Sequence, residues 1–204
     1  MKVLAINGSP HEQGCTYTAI RLVADELEKQ GIETEIVQVG KLPVRSCIGC
    51  RACKEGKRCV FDDIVNECID KSKDADGILL GSPVYYSGIA GSMKCFLDRF
   101  FYAGPYLHYK VGAAVVSARR AGTVETFQQL NNYFNLRNIV IAPSHYWNEV
   151  HGSNAEDVMK DEEGVQIMRT LGRNMAWLLK MMEYGKNAVP LPEQEEVIHT
   201  NFIR

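Results

Sequence analysis

The chain has 204 residues, of which 46% are hydrophobic and 24% charged, a composition typical of one globular domain with a substantial buried core. Its formal net charge of −2 gives no electrostatic basis for binding nucleic acid or an anionic membrane surface. The first apolar run is too short for a signal peptide and no stretch reaches the ~20 apolar residues of a membrane span, so we expect a cytoplasmic protein without a membrane partner.

The first predicted elements are a buried strand and a helix joined by a short polar loop. Residues 2–6 form an apolar run without polar alternation, which predicts a strand covered on both faces, as in a parallel sheet. Turn residues follow at 7–10, and apolar residues at helical spacing predict a helix over 16–30 that ends at Gly31. A loop in this position favours an anion, because free backbone N–H groups and the helix dipole converge on it.

The same loop lacks the signatures of the two common nucleotide-binding loops. It contains neither G-x-G-x-x-G nor G-x-x-x-x-G-K-[ST] with its lysine, so a diphosphate is not expected. The hydroxyl and thiol groups of Ser9, Cys15 and Thr16, together with backbone amides, favour a monophosphate bound by neutral donors, and His11 is a further candidate donor. The alternative is an ordinary strand-to-helix turn in which Thr16 only caps the helix.

The remainder of the chain continues to alternate between predicted strands and helices. Five strands and five helices in alternation predict a doubly wound α/β domain over 1–183, with a five-stranded parallel sheet and helices on both faces. Residues 184–204, with two prolines and an acidic run, are predicted to form a surface extension or a partner-binding arm. The other predicted strands are 32–39, 77–80, 111–117 and 137–142, and the other predicted helices are 62–73, 91–102, 123–135 and about 158–183.

Ligands of such sheets bind at the carboxyl ends of the strands, where the strand order reverses. The predicted loops 7–16, 82–90 and 117–122 should meet there, and the loop 144–158, with His145, His151, Tyr146 and Trp147, is a further candidate wall. The second loop contains two adjacent tyrosines that cannot both face a core, so one is expected to meet a planar ligand. The candidate residues in this loop are Pro83, Val84, Tyr85, Tyr86 and Ser87.

The third of these loops offers polar groups beside the aromatic ones. It contains Ser117, Arg119 and Gly122, and its arginines could hold ring carbonyls or a second, anionic cofactor. The alternative for the arginines is solvated surface charge.

Three motifs together resemble the flavodoxin-fold NAD(P)H-dependent FMN reductases. They are Gly8-Ser9-Pro10 with Thr16, Gly81-Ser82-Pro83-Val84-Tyr85-Tyr86, and Gly91-Ser-Met-Lys-x-Phe-Leu-Asp-Arg99, in matching order over residues 1 to about 142. The resemblance implies FMN, with NAD(P)H as a donor to be tested. It places Ser9, Cys15 and Thr16 on the phosphate and 83–87 along the isoalloxazine. Many relatives have Asn at the position of Cys15.

Four of the seven cysteines lie close together in the irregular segment 41–61. An odd number of cysteines with four clustered favours reduced thiols or metal ligands over a disulfide framework. The overlapping spacing C-x-x-C-x-x-C is typical of [4Fe–4S] ligation, whereas zinc sites usually pair two C-x-x-C motifs across a long spacer. The segment also resembles that of the iron-sulfur flavoproteins, a branch of the same family, with zinc or metal-free thiols as the alternatives. The candidate ligands are Cys47, Cys50, Cys53 and Cys59.

The predicted function is that of an FMN-dependent oxidoreductase that passes electrons between a [4Fe–4S] cluster and FMN and reduces a small acceptor such as a flavin, quinone or peroxide. One alternative is a cluster-free NAD(P)H-dependent FMN or quinone reductase. Another is a flavin electron carrier that serves protein partners such as ferredoxin. No catalytic side chain is expected, because hydride and electron transfer require no protein acid or base.

The apolar face of helix 91–102 is the basis for an expected homodimer or homotetramer. Its aromatic residues continue towards Tyr102, Tyr106 and Tyr109, which is more hydrophobic surface than one sheet face readily covers. A neighbouring chain is therefore expected to close over the flavin and the cysteine segment. The alternative is that these side chains pack in the core of their own monomer.

Overall fold

The computed structural model of the protein describes residues 1–56, 58–105, 107–200 and 202. The chain folds into a parallel β-sheet with helices on both faces. Tyr106, position 57 of the cysteine segment and positions 201, 203 and 204 of the tail lie outside this description. The strands are β1 (Lys2–Asn7), β2 (Glu33–Gln38), β3 (Gly77–Tyr85), β4 (Gly88–Ile89), β5 (Val111–Ala118), β6 (Val140–Ile141) and β7 (Glu149–His151). The helices are α1 (Cys15–Lys29), α2 (Cys53–Gly56), α3 (Ile64–Lys73), α4 (Gly91–Ala103), α5 (Thr123–Leu136), α6 (Ala155–Lys160) and α7 (Glu162–Gly185).

The main path of the sheet follows the order β2-β1-β3-β5-β6, and each neighbouring pair on it is parallel. This is the doubly wound, five-stranded parallel arrangement that the alternating elements predict, and the predicted fold class is confirmed. Two short strands add to it, because β4 pairs antiparallel with β3 and β7 pairs parallel with β5. The chain reverses its direction of winding between β1 and β3, so their carboxyl ends form the expected ligand crevice.

Side chains of the central strands alternate between two hydrophobic cores, one on each face of the sheet. Leu4 and Ile6 of β1 pack with residues of α3, α4 and α5, whereas Val3 and Ala5 pack with α1 and α7. All four are fully buried, which explains why the run 2–6 lacks polar alternation.

The apolar face of α4 is buried within the monomer. Phe96 and Phe100 stack with ring centroids 5.3 Å apart, and Phe101 contacts Phe134 of α5 at 6.2 Å. The five apolar residues of this face are at most 4% exposed. These five side chains are therefore covered within the monomer, in part by the aromatic residues of α5, and give no support to an interface, whereas Tyr102, which continues the series, is 49% exposed. Those five residues are Met93, Phe96, Leu97, Phe100 and Phe101.

The region between β5 and the last helix differs from the prediction. The strand expected over 137–142 shrinks to the two residues of β6, since Asn138 turns the backbone with a φ of 52°. The expected loop contains β7 and α6, which have too few apolar residues to give a periodic signal. Asp161 accepts a hydrogen bond from the N–H of Gly164 at 3.0 Å, so α7 begins at 162 instead of about 158.

The tail after α7 is exposed along 186–200 and at 202 and has no regular secondary structure. Two described side-chain hydrogen bonds join it to the domain: Lys186 donates to the carboxylate of Glu183 in α7 at 2.5 Å, and Gln194 donates to the hydroxyl of Tyr109 at 2.7 Å. Within the described ranges, no helix combines the length and apolar character that crossing a membrane requires.

Candidate functional site

A cleft of about 830 Å³ opens at the carboxyl ends of β1, β3 and β5. All three predicted loops contribute to it, and the turn between β7 and α6 forms a further wall. The lining consists of residues 9–16, Lys41, 83–85, 117–119 and 152–155. The topology thus brings together segments that are more than one hundred residues apart in the sequence.

The loop after β1 is held in place by hydrogen bonds to its backbone. The N–H of Gly8 donates to the carbonyl of Gly81 at 2.8 Å, which fixes the loop against β3. The Ser9 carbonyl accepts from the side chain of Gln38 at 2.6 Å, and the Ser9 hydroxyl accepts from the N–H of His11 at 3.1 Å. These contacts organise the loop before any ligand binds.

Helix α1 begins at this loop without a side-chain cap. Gly14 occupies the cap position, and the first turn contains no acidic residue. The first-turn N–H groups of a helix have no partner within the helix, and the helix dipole gives that end a partial positive charge. Cys15 and Thr16 of this turn line the cleft. An anionic group in the cleft would therefore find free donors at the start of α1.

The hydroxyls of Thr16 and Ser117 form a buried pair that joins the first and third loops. Their oxygen atoms are 2.8 Å apart, and the two residues are at most 3% exposed. A hydroxyl has one hydrogen to donate, so one member of the pair donates to the other and one hydrogen remains for a ligand. The two residues therefore act as one donor unit.

The thiol of Cys15 is already engaged in the structure. Its sulfur donates to the carbonyl of Gly152 at 3.4 Å, which ties α1 to the turn after β7. Burial raises the pKa of this thiol, so it stays protonated at neutral pH. The contact between Cys15 and a phosphate stays a prediction, and in this arrangement its hydrogen points to protein.

Replacing Thr16 with valine should weaken FMN binding by about 1 to 2 kcal/mol, or roughly 5- to 30-fold in the dissociation constant. Valine keeps the shape of the side chain but removes the donor pair with Ser117. Titrating the apoprotein with FMN by fluorescence quenching measures the effect. Thr18→Val is the matched control, because the Thr18 hydroxyl donates to the carbonyl of Gly14 within the same helix. Unchanged affinity in Thr16→Val would show that the phosphate binds elsewhere.

Nine of the twelve predicted cofactor residues line the cleft, and three lie beside it. Both tyrosines of the second loop are exposed, Tyr85 by 48% along the cleft and Tyr86 fully at the tip of the β3–β4 hairpin. Gly122 packs under this hairpin with a φ of 89°, and a Cβ there would lie 2.9 Å from the Ser87 hydroxyl. The nine lining residues are Ser9, His11, Cys15, Thr16, Pro83, Val84, Tyr85, Ser117 and Arg119.

The sequence did not single out Lys41, and it predicted the loop 144–158 as a wall without naming the residues 152–155 that line the cleft. Lys41 forms an ion pair with Glu12 at the rim of the cleft, so its charge is partly neutralised. The turn contains Asn154, which caps α6 by accepting from the N–H of Asp157 at 2.9 Å. This Gly-Ser-Asn sequence was the available signal for a turn and a helix start. The four residues named for that loop, His145, Tyr146, Trp147 and His151, are not in the lining.

The four clustered cysteines line a second, smaller recess of about 20 Å³ next to α4. Cys47 and Cys50 are exposed, whereas Cys53 and Cys59 are half-buried. Burial raises the pKa of the Cys53 thiol, and the nearby sulfurs of the other three add to the rise. The recess is also lined by Ile48, Arg51, Val60, Phe61, Arg99, Tyr102 and Ala103.

Cys59 is held more firmly than its neighbours in the recess. Its N–H donates to the side-chain oxygen of Asn66 at 2.9 Å, and its carbonyl accepts from the Asn66 amide at 3.0 Å. Its sulfur accepts from the Nε–H of Arg99 at 3.1 Å. The folded helices α3 and α4 thus fix this cysteine in position.

The recess provides four thiols, which are the donor type of zinc sites and of iron-sulfur clusters. Among the described residues, no three His, Cys, Asp or Glu side chains are placed to hold one metal ion. Tetrahedral zinc needs four donors around one centre, whereas each thiolate of a cubane cluster binds a different iron. Four thiols around one recess are the donors that an iron-sulfur cluster takes, and one of these sulfurs accepts an N–H donor.

Comparisons with known proteins agree with this geometry. Residues 1–153 match the family model described as NADPH-dependent FMN reductase. An iron-sulfur flavoprotein of Methanocaldococcus jannaschii is 35% identical over 192 residues, which cover 90% of this chain and 100% of the relative. An iron-sulfur flavoprotein of Methanosarcina thermophila is 26% identical over 193 residues, with 92% and 100% coverage.

Solved structures show the same fold at lower identity. A flavodoxin from the domain Archaea superposes with a TM-score of 0.61 at 15% identity, covering 88% of this chain and 99% of that chain. The predicted flavodoxin-like fold is therefore confirmed. The sequence matches and the motifs of the first and second loops together identify the family. The chain belongs to the NADPH-dependent FMN reductase family, in the branch of the iron-sulfur flavoproteins.

Proposed function

We propose that this FMN-dependent oxidoreductase holds a [4Fe–4S] cluster on Cys47, Cys50, Cys53 and Cys59 and passes electrons between the cluster and FMN to reduce a small acceptor. The observation that carries the proposal is the meeting of the four thiols around one recess beside α4. The names of the two relatives agree with it. FMN exchanges electrons singly or in pairs and a cluster exchanges them singly, so the two groups together link two-electron and one-electron chemistry.

The cleft offers a separate set of groups for each part of FMN. The first turn of α1 and the Thr16–Ser117 pair supply uncharged donors for the phosphate. Pro83 to Tyr85 form the wall along which the isoalloxazine would lie, and the turn 152–155 closes the other side. The chain therefore binds and orients the flavin, and no side chain is needed to move a proton.

Helix α4 connects the cleft with the cysteine recess. Near its start, the Ser92 hydroxyl donates to the carbonyl of Gly40 at 2.9 Å. Gly40 lies against Ser9 so closely that a Cβ would be 2.2 Å from the Ser9 carbonyl oxygen. Arg99 follows Ser92 by seven residues, or about 10 Å along the helix, and reaches Cys59. One rigid element thus sets the recess relative to the flavin loop.

Acid extraction of the purified protein should release FMN and no FAD. The first loop lacks both diphosphate signatures, and its donors suit a single monophosphate. Chromatography of the extracted flavin measures this directly. FAD as the sole flavin would contradict the assignment of the loop.

Anaerobic purification with iron and acid-labile sulfide analysis tests the cluster. We expect both elements in the protein, together with an electron paramagnetic resonance (EPR) signal after reduction. Iron-free protein with bound FMN would leave the cluster-free NAD(P)H-dependent FMN or quinone reductase. Rapid bleaching of the flavin by NADPH would support an enzyme with a nicotinamide donor, and bleaching only by reduced ferredoxin would support an electron carrier.

We also propose a homodimer or homotetramer. The support for it is now an exposed face of α7 and not the apolar face of α4 from which the sequence predicted it. The outer face of α7 exposes Trp177, Met181 and Tyr184, at helical spacing and 51 to 86% exposed. The cysteines at 47 and 50 are exposed as well and would be covered by a neighbouring chain. Sedimentation of the purified holoprotein gives the oligomeric state, and a monomer at all concentrations would remove this part.

A further inference from the structure

Arg99 is a buried cation that the flavin chemistry does not use. It closes the motif that begins at Gly91, and at 1% exposure it is among the largest fully buried side chains. A buried arginine is costly unless its charge and its donors are satisfied. Its surroundings therefore indicate what it does.

All five N–H donors of Arg99 are used, and they converge on the cysteine recess. Two donate to the carboxylate of Asp63 at 2.7 and 2.8 Å. Two donate to the carbonyls of Arg45 and Phe61, each at 3.2 Å. The fifth, on Nε, donates to the sulfur of Cys59 at 3.1 Å. The guanidinium thus binds both ends of the cysteine segment and one of its thiols.

The guanidinium of Arg99 stays positively charged in the folded protein. A guanidinium does not deprotonate in folded proteins, and here the carboxylate of Asp63 accepts two of its hydrogen bonds. Asp63 is 31% exposed, so water partly screens its charge, whereas the guanidinium is almost completely buried. A positive charge therefore stands beside the recess at every pH at which the protein is folded.

We propose that Arg99 is a positioning residue for the cluster, which holds the Cys59 sulfur through its Nε–H and raises the reduction potential of the cluster. This rests on the proposed function. Reduction adds one electron, and thus one negative charge, to the group in the recess. A fixed cation and an N–H donor on a ligand sulfur stabilise that added charge in a site of low dielectric constant.

The same geometry predicts opposite effects at the two ends of the ion pair. Arg99→Gln removes the cation and should lower the cluster potential. Asp63→Asn leaves Arg99 in place but removes the carboxylate that neutralises it, so the potential should rise. Asparagine also caps helices, which preserves the bond that Asp63 accepts from the N–H of Val65 at 3.1 Å.

EPR-monitored redox titration of the anaerobic holoprotein, with dithionite as the reductant, tests the inference. We expect each change to alter the equilibrium between oxidised and reduced cluster by about tenfold or more, which corresponds to about 59 mV for one electron. Arg99→Lys, which keeps the charge but loses the planar fork, should fall between wild type and Arg99→Gln. Arg58→Gln is the control, because Arg58 lies in the same cysteine segment but does not line the recess and pairs with Asp70 at the surface.

The outcomes separate this inference from the proposed function. Wild-type protein without iron and sulfide would overturn the proposed function, and the inference with it, before any variant is measured. An iron-loaded wild type whose potential is unchanged in Asp63→Asn and Arg99→Lys would overturn the inference alone. Because Arg99→Gln can lose the fold, the decision rests on the rise in Asp63→Asn and the fall in Arg99→Lys.

Discussion

Phe100→Ala should lower the free energy of unfolding by about 3 to 5 kcal/mol, the largest stability effect expected here. Phe100 is fully buried in the core between the sheet and α4, where it stacks on Phe96 and meets Phe101 edge to face at 5.1 Å. Truncation leaves a cavity bounded by the sheet and by other rings, which cannot collapse to fill it. Urea denaturation followed by circular dichroism gives the change in free energy.

Leu136→Ala is the matched control for this loss. Leu136 is 83% exposed at the end of α5, so its truncation should change stability by no more than about 0.5 kcal/mol. The loss in Phe100→Ala should also be independent of protein concentration. A loss that grows on dilution would show that the aromatic face of α4 contributes to an interface between chains.

Cys59→Ala should abolish cluster binding while leaving FMN bound. Cys59 is the proposed ligand that the folded chain contacts at its sulfur, its N–H and its carbonyl. It does not line the flavin cleft, whose residues lie in other loops. Iron and sulfide in the anaerobically purified variant should therefore fall to background, with the flavin content of wild type.

Cys95→Ala provides the comparison for the thiol change itself. Cys95 lies on α4 and is half-buried, but it lines neither the cleft nor the recess. It should keep iron, sulfide and FMN. Full cluster content in Cys59→Ala would mean that the four-cysteine assignment is wrong.

The central part of the fold could be predicted from the sequence because apolar residues dominate there. Residues 3–6 are all apolar and fully buried because helices cover both faces of β1, and that apolar character is visible without a structure. Three of the four walls of the cleft followed from the rule that loops meet at the carboxyl ends of parallel strands. The fourth, 152–155, follows a three-residue strand whose polar Glu149 and His151 flank one buried valine.

The packing between elements that lie far apart along the chain could not be predicted from the sequence. The aromatic residues of α4 predict an apolar face, but the pattern does not say that Phe134 of α5 covers it. Spacing likewise identified the four cysteines, whereas the contact from Arg99 to Cys59 joins residues forty positions apart. The partners of a charged residue in a helix motif depend on the tertiary fold.

Cys47 and Cys50 face solvent in the folded chain, whereas Cys59 is fixed beside Arg99. Both hydrophobic cores close around the sheet, and neither Cys47 nor Cys50 belongs to them. The two cores that hold the fold together therefore do not depend on these two thiols. For the proposed cluster, this means that apoprotein should keep its far-ultraviolet circular dichroism and present two solvent-accessible thiols for reconstitution with iron and sulfide.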